Sequence, residues 1–199
     1  MPLQRDQVVR AALDLLDEVG LDAFTTRALT DRLGVQRGAL YWHVKSKREL
    51  LTAVAELITR PVFEDMDAAT GDWADRFAVF AHRLREVMLA HRDGARLIAS
   101  HIQPQPQGMR RLEANLARFA EQGITPELGA RFADTIASYV TGYVLQEQAV
   151  PSGIDITTDE TTPLLAQAFA TSEWPSTEVF TASVRTIILG MRAEIAARA

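Results

Sequence analysis

The chain has no cysteine among its 199 residues, which excludes disulfide bonds and thiolate chemistry. The absence fits the reducing cytoplasm, where disulfides are rare. No stretch approaches the ~20 consecutive apolar residues that a membrane-spanning helix needs. Residues 1–6 are polar and run directly into a helical pattern, so we expect no signal peptide. These absences predict a cytoplasmic protein without a membrane partner.

Catalytic signatures are lacking as well. The sequence has no glycine-rich phosphate loop and no G-x-S-x-G element. His82 and Glu86 have the spacing of a metal pair on one helix face, but no further ligand follows at a zinc-motif spacing. A surface His–Glu pair is the simpler interpretation. His101 fits either a helix-end cation or a ligand contact. We therefore expect no enzyme activity, no cofactor and no bound metal.

The sequence does contain helical periodicity from end to end, and no convincing strand alternation. We predict an all-α fold with an N-terminal three-helix domain over 1–47, a connecting helix and linker over 48–66, and a larger helical domain over 67–199. Pro61 should kink the connecting helix or end it nearby. We interpret three acidic residues as linker residues whose side chains face solvent, namely Asp65, Asp67 and Asp72.

Residues 25–51 carry the start and stop signals of a helix-turn-helix. Thr25 can cap the first helix, and Phe24 and Leu29 have the spacing of a hydrophobic staple. Gly34 lies where the chain must turn sharply, because glycine permits a positive φ.

The second helix of the pair is predicted over 36–44, with Leu40 and Val44 directed inward. Its other side chains are then free to face a DNA groove. Ser46 and Glu49 are predicted to form a capping box that begins the next helix.

Charge is distributed unevenly along the chain. The net charge is −5, yet residues 26–48 contain six basic side chains against Asp31 alone. Such a local excess marks a phosphate-facing surface, because DNA binding gains from counterion release. The alternative is a solvated basic face on an ordinary helical domain.

This segment resembles the DNA-binding domain of the tetracycline repressor (TetR) family, whose signature includes L-G-V-x-x-G-x-L-Y-x-H-x-x-x-K-x-x-L-L. The matching residues are Leu33-Gly34-Val35, Gly38, Leu40-Tyr41, His43, Lys47 and Leu50-Leu51. A weaker resemblance continues through most of the chain, most clearly at Arg92-Asp93-Gly94-Ala95 and at Gly142. It implies a C-terminal helical domain that binds an effector and dimerises.

The predicted DNA contacts lie on the second helix and on the basic segments beside it. They are Thr26, Arg27, Arg37, Gly38, Ala39, Tyr41, Trp42, His43, Lys45 and Lys47. A double-stranded DNA operator is therefore the expected macromolecular partner.

Two later helices carry broad apolar stripes, which would serve both a core and a partner. A monomer that buries these stripes internally is the alternative. The resemblance favours a homodimer, since family members pair these two helices. The predicted interface residues are Tyr139, Tyr143, Val184, Ile188, Met191 and Ile195.

The resemblance also implies an effector cavity between helices of the C-terminal domain. The drug and magnesium contacts of the family fall near Val62, Phe80, Leu84, Ile98, His101, Ile102, Asn115, Ser138 and Gln146. The principal metal-binding histidine falls on Ile98, which cannot bind a metal, and the carboxylate that holds metal-bound water falls on Gln146 or Glu147. We therefore expect an apolar or aromatic effector bound without a divalent ion. Phe80, Leu84, Ile98 and Ile102 could equally be plain core residues.

Together these features predict a dimeric, ligand-responsive repressor that binds a palindromic operator and is released by a small molecule. An activator or a non-responsive regulator is the alternative within the same class. A helical ligand carrier or an enzyme with a vestigial DNA-binding domain is the alternative from another class. A sequence-specific shift of a DNA fragment would separate these classes, as would the discovery of a turnover reaction.

Overall fold

A computed structural model of the chain describes residues 3–101, 106–149, 157–169 and 175–198. Within these ranges the protein forms ten helices and no strand, which confirms the all-α prediction. The helices are α1 Arg5–Val19, α2 Thr26–Leu33, α3 Arg37–Tyr41, α4 Lys47–Ala68, α5 Trp73–Leu89, α6 Gly94–His101, α7 Pro106–Glu121, α8 Pro126–Ala149, α9 Pro163–Phe169 and α10 Thr177–Ala196. None of these described helices has the length and apolar character that crossing a membrane requires.

The first three helices share a small apolar core. Phe24 and Leu29, the predicted staple, are both fully buried, and Leu40 of α3 is fully buried in the same core. The Thr25 hydroxyl accepts a hydrogen bond from the Ala28 amide (3.1 Å) and so caps α2. Gly34 ends α2 in the left-handed conformation at φ 64°, as its position predicted.

The third helix is shorter than predicted. It ends at Tyr41 instead of near Val44, because the Leu40 carbonyl accepts from the amides of both His43 and Val44 and closes the chain into a turn. The Ser46 hydroxyl then accepts from the Glu49 amide and caps α4. The predicted capping box is only half formed, since the Glu49 carboxylate accepts from the Lys45 amide and not from Ser46.

The helix α4 extends through Pro61 to Ala68, so it does not end near the proline, while the other predicted outcome, a kink there, stays a prediction. Proline in a helix interior removes one backbone hydrogen bond and costs about 3 kcal/mol. Val62 and Met66, both buried, continue the inward face of α4 beyond the proline. We attribute the continuation of the helix to this packing, since tertiary burial outweighs the local cost.

The interpretation that the acidic linker residues Asp65, Asp67 and Asp72 only face solvent is wrong. Asp65 accepts a hydrogen bond from Arg83 of α5 (2.5 Å). Asp67 accepts one from Arg118 of α7 (2.6 Å), and Asp72 caps α5 through the amides of residues 74 and 75. These carboxylates therefore attach the end of α4 and the turn after it to the C-terminal domain.

The C-terminal domain is built around α5, which packs against α4, α6, α8 and α10. Aromatic side chains make up much of its core. The rings of Phe77 and Phe119 stack with centroids 4.9 Å apart, and Trp73 stacks on Phe132 at 6.0 Å. The domain thus has its own core, continuous with that of the DNA-binding domain through α4.

A polar network joins the DNA-binding domain to the start of α6. The Asp93 carboxylate accepts from the Leu21 amide (2.8 Å), and Asp17 accepts from the Arg92 amide (3.0 Å). Arg96 forms a bidentate pair with Asp22, which lowers the pKa of that carboxyl. These contacts form a second connection between the domains, independent of α4.

Tight packing at the start of α6 makes Gly94 a sensitive position. Asp93 just before it has a positive φ of 57°, and a Cβ built on Gly94 would lie 2.2 Å from the Met88 carbonyl oxygen. We predict that Gly94→Ala destabilises the fold by about 1–3 kcal/mol, because backbone must move to admit the methyl group. Thermal unfolding measures the change.

Gly108→Ala is the matched control, since no heavy atom lies within 4 Å of a Cβ at that position. Alanine is the better helix former, so this variant should match or exceed the wild-type melting temperature. Equal melting temperatures for Gly94→Ala and wild type would show that the close approach is not a constraint.

Candidate DNA-binding surface and effector cavity

The outer face of α3 is free of protein contacts over most of its length. Arg37 and Gly38 are exposed, Tyr41 is 40% exposed, and Trp42, just after the helix, is 89% exposed. Ala39 and His43 are half-buried at the edge of this face. Leu40 points in the opposite direction, into the core, and its packing holds α3 in place.

The flanking basic residues extend this surface on both sides. Arg27 is exposed near the start of α2, next to the half-buried Thr26, and its guanidinium lies 4.0 Å from Asp31. Lys45 is exposed just before α4. Exposed cations therefore precede and follow α3 in the chain, and such cations can contact phosphates.

Lys47 has a structural contact that the sequence did not indicate. Its ammonium donates to the Phe24 carbonyl (2.7 Å) and lies 5.4 Å from the centre of the Phe24 ring. The side chain thus ties the start of α2 to the start of α4. The residue is nevertheless exposed to solvent.

A cavity of about 320 Å³ lies among α4, α5, α7 and α8. Among the described residues its wall is almost entirely apolar, with four phenylalanines and only three polar side chains. The lining residues are Glu56, Thr59, Phe63, Met66, Phe77, Phe80, Gly108, Met109, Leu112, Asn115, Leu116, Phe119, Gly129 and Ala133. This size and this composition are those of small-molecule sites.

Two of the predicted effector contacts, Phe80 and Asn115, line this cavity. The others lie elsewhere. Val62, Leu84 and Ile98 are buried in the core, His101 is half-buried with its Nδ1 3.3 Å from the Leu97 carbonyl, and Ser138 and Gln146 are exposed on α8. Ile102 lies outside the described residues.

Sequence reasoning missed most of the α4 and α7 wall. Glu56, Thr59, Phe63 and Met66 follow one another at spacings of three and four, so they share one face of α4. The spacing identifies these residues as one face of the helix, but it does not show whether that face borders a cavity or the packed core.

The carboxylate considered as a metal ligand is already paired. Glu147 accepts two hydrogen bonds from Arg85, at 2.9 and 2.5 Å, and this contact raises the pKa of the guanidinium. In the part of the chain that the structure describes, no group of three or more His, Asp or Glu side chains could hold a metal ion.

The residues predicted for the dimer interface divide into two groups. Tyr143, Val184 and Met191 are buried within the protomer, where Tyr143 packs on Phe180 with ring centroids 5.3 Å apart. Tyr139, Ile188 and Ile195 are half-buried. The outer faces of α8 and α10 instead expose Leu145 and Leu189 among small residues, namely Ala130, Ser138, Ala182, Gly190 and Ala193.

Two family models match the chain. Residues 8–54 match the model described as bacterial regulatory proteins, tetR family, and residues 67–195 match the tetracyclin repressor-like C-terminal domain. The chain belongs to the TetR family. It is a TetR-family transcriptional regulator with a helix-turn-helix domain and a tetracycline repressor-like C-terminal domain.

Individual TetR-family relatives agree with the models. The class A tetracycline repressor from transposon 1721 of Escherichia coli is 43% identical over 148 residues, covering 74% of this chain and 68% of the relative. ActR of Streptomyces coelicolor in complex with actinorhodin is 28% identical, with a TM-score of 0.80 over 98% of this chain and 99% of that one. The class A repressor in complex with 5a,6-anhydrotetracycline and magnesium is 32% identical, with a TM-score of 0.75 over 96% of this chain and 99% of that one.

Proposed function

We propose that the chain is a homodimeric repressor, and not an enzyme, that binds a palindromic operator through α3 and releases it when an apolar or aromatic small molecule fills the cavity. The observation that carries this proposal is the course of α4. The helix begins beside α3 at Lys47, and further along it supplies four side chains to the cavity wall. A ligand that displaces α4 must therefore act on the DNA-binding domain as well.

The direction of control follows from linkage. An effector lowers operator affinity only if it binds more tightly to the arrangement of the two DNA-binding domains that does not fit the operator. The part of the cavity wall that belongs to α4 would make the effector affinity differ between the two arrangements, because a shift of Phe63 and Met66 changes the ligand site and the position of α3 together. The contacts of α6 with residues 17–22 would transmit movements of that helix in the same way.

The nature of the effector follows from the wall of the cavity. Apolar burial contributes about 25 cal/mol per Å², so an aromatic body packed among Phe63, Phe77, Phe80 and Phe119 would draw most of its affinity from those rings. Two similar structures are compatible with an aromatic effector, since actinorhodin and anhydrotetracycline are the molecules bound in them. The described lining residues include one carboxylate, Glu56, and no histidine, which favours binding without a metal.

The dimer would form through the outer faces of α8 and α10. Helix-turn-helix proteins gain from pairing, because two recognition helices then contact two half-sites about 34–36 Å apart. Small residues among Leu145 and Leu189 would let a second copy approach closely. The division of the chain into 1–47, 48–66 and 67–199 remains a prediction.

The first prediction concerns base recognition. Arg37 is exposed on α3 and can donate two hydrogen bonds to a guanine, so Arg37→Ala should cost about 1–3 kcal/mol of operator affinity and relax the preference at one base pair. Lys47→Ala serves as the contrast and should weaken operator and random DNA alike. Because Lys47 also holds the Phe24 carbonyl, its variant should melt at a lower temperature as well.

These affinities are measured by fluorescence anisotropy on an operator fragment, found by mapping the binding sites of the protein on its own genomic DNA, and on random DNA at one salt concentration. An equal loss on both DNAs for Arg37→Ala would rule out its role in base recognition.

The second prediction concerns assembly. Leu189 is 58% exposed in the protomer, so Leu189→Glu should leave the fold intact and yet prevent dimerisation, because the partner would bury an unpaired charge. Sedimentation velocity should show a monomer, and affinity for the palindrome should fall steeply. Met191→Glu would be a poor test, since Met191 is buried within the protomer and its variant should unfold.

Leu89→Glu introduces the same charge on α5, at a residue that is 40% exposed and does not belong to the proposed interface faces of α8 and α10, and should stay dimeric. A wild-type chain that sediments as a monomer at micromolar concentration while still binding a palindrome would contradict the dimer proposal.

The third prediction concerns the effector. Aromatic compounds that raise the melting temperature and release the operator should do so equally with and without EDTA, because the cavity offers one carboxylate, Glu56, where a divalent ion needs several oxygen or nitrogen ligands. Release that required magnesium and vanished on chelation would show that the metal-free site is wrong.

A further inference from the structure

Among the described residues that line the cavity, Glu56 is the one with an ionisable side chain. It is half-buried on α4, and its carboxylate makes no hydrogen bond or ion pair with the part of the chain that the structure describes. Arg5 and Arg60 lie near enough to lower its pKa, but burial dominates and raises the pKa of the carboxyl above its ordinary value. Both arginines are exposed to solvent.

The neighbouring polar group of the wall can only accept a hydrogen bond. Thr59 lies one helical turn from Glu56, and its hydroxyl hydrogen is directed at the Ala55 carbonyl (2.8 Å). Its oxygen keeps a lone pair for a ligand. Glu56 and Thr59 together therefore form an acceptor site on one face of α4, which suits a ligand group that carries several donors.

Aromatic rings stand beside this acceptor site. Phe63 follows Thr59 on the same face of α4, and its ring packs against that of Phe80 in the cavity wall, with centroids 6.1 Å apart. The faces of aromatic rings attract cations, most strongly where water is excluded. A carboxylate, a hydroxyl oxygen and two rings form the combination that favours an ammonium group, which has three donors and no acceptor.

We propose that the cavity recognises an organic cation, a protonated amine carried on an aromatic body, with the amine held by the Glu56 carboxylate and the Thr59 hydroxyl oxygen. The body of the ligand lies among the phenylalanines at the α5 and α7 side. Asn115 at the α7 wall has its Oδ1 engaged by Arg118, so its amide nitrogen is left to donate to an oxygen of the ligand. This inference rests on the proposed effector cavity and adds the charge of the ligand.

The test uses three probes with one naphthalene body: 1-naphthylmethylamine as the cation, 1-naphthalenemethanol as the neutral analogue and 1-naphthoate as the anion. Their dissociation constants for the full-length protein are measured by calorimetry at pH 7. The wild type should bind the amine about tenfold more tightly than the alcohol, the scale of a charge-assisted hydrogen bond, and the anion most weakly.

Glu56→Gln keeps the shape of the side chain and removes its charge, so it should abolish the preference for the amine and leave the affinity for the alcohol unchanged. Glu64→Gln is the matched control. It lies on the same helix, is exposed and does not line the cavity, so its loss of one negative charge should leave the preference intact.

The outcomes separate the two proposals. If the wild type binds the three probes equally, or if Glu56→Gln keeps the preference for the amine, the cation site is wrong while the cavity stands. If no probe binds the wild type, the cavity is not a binding site, and both the effector proposal and the cation site fail.

Discussion

The packing of one helix connects the two halves of this protein. The first turns of α4 bury Leu50, Leu51 and Val54 in the core of the DNA-binding domain. Its later turns present Phe63 and Met66 to the cavity. Because an α-helix transmits displacement along its axis with little internal change, the position of the cavity wall and the position of α3 are not independent.

The coupling therefore depends on α4 staying intact, which its local sequence alone does not ensure. Pro61 weakens the helix in its middle, and the buried side chains on either side hold it together. The pair between Asp65 and Arg83, and that between Asp67 and Arg118, hold its C-terminal end against α5 and α7. Because packing on both sides of Pro61 holds the helix together, we propose that α4 moves as one body, and its tilt is the change that an effector would bias.

The DNA-binding domain was predictable in detail because its signals are local. A threonine cap, a staple and a left-handed glycine each act within a few residues, so their spacing is visible in the sequence. The cavity was not predictable in this way. The sequence identifies the inward face of α4, but Val62 points into solid core and Phe63 into the void, and the spacing between helices decides which. The role of Glu147 was hidden for a similar reason, since its partner Arg85 lies on another helix.

The most direct test of the coupling through α4 uses the absence of cysteine from the sequence. Arg10→Cys places a single spin label on an exposed position of α1, so a dimer carries two labels whose separation reports on the two DNA-binding domains. Pulsed electron resonance measures this distance in the free protein, on the operator, and with a compound that releases the operator. A shift of the distance on adding the compound, away from the operator-bound value, is the predicted result. An unchanged distance distribution in the presence of a compound that still releases the operator would contradict the account.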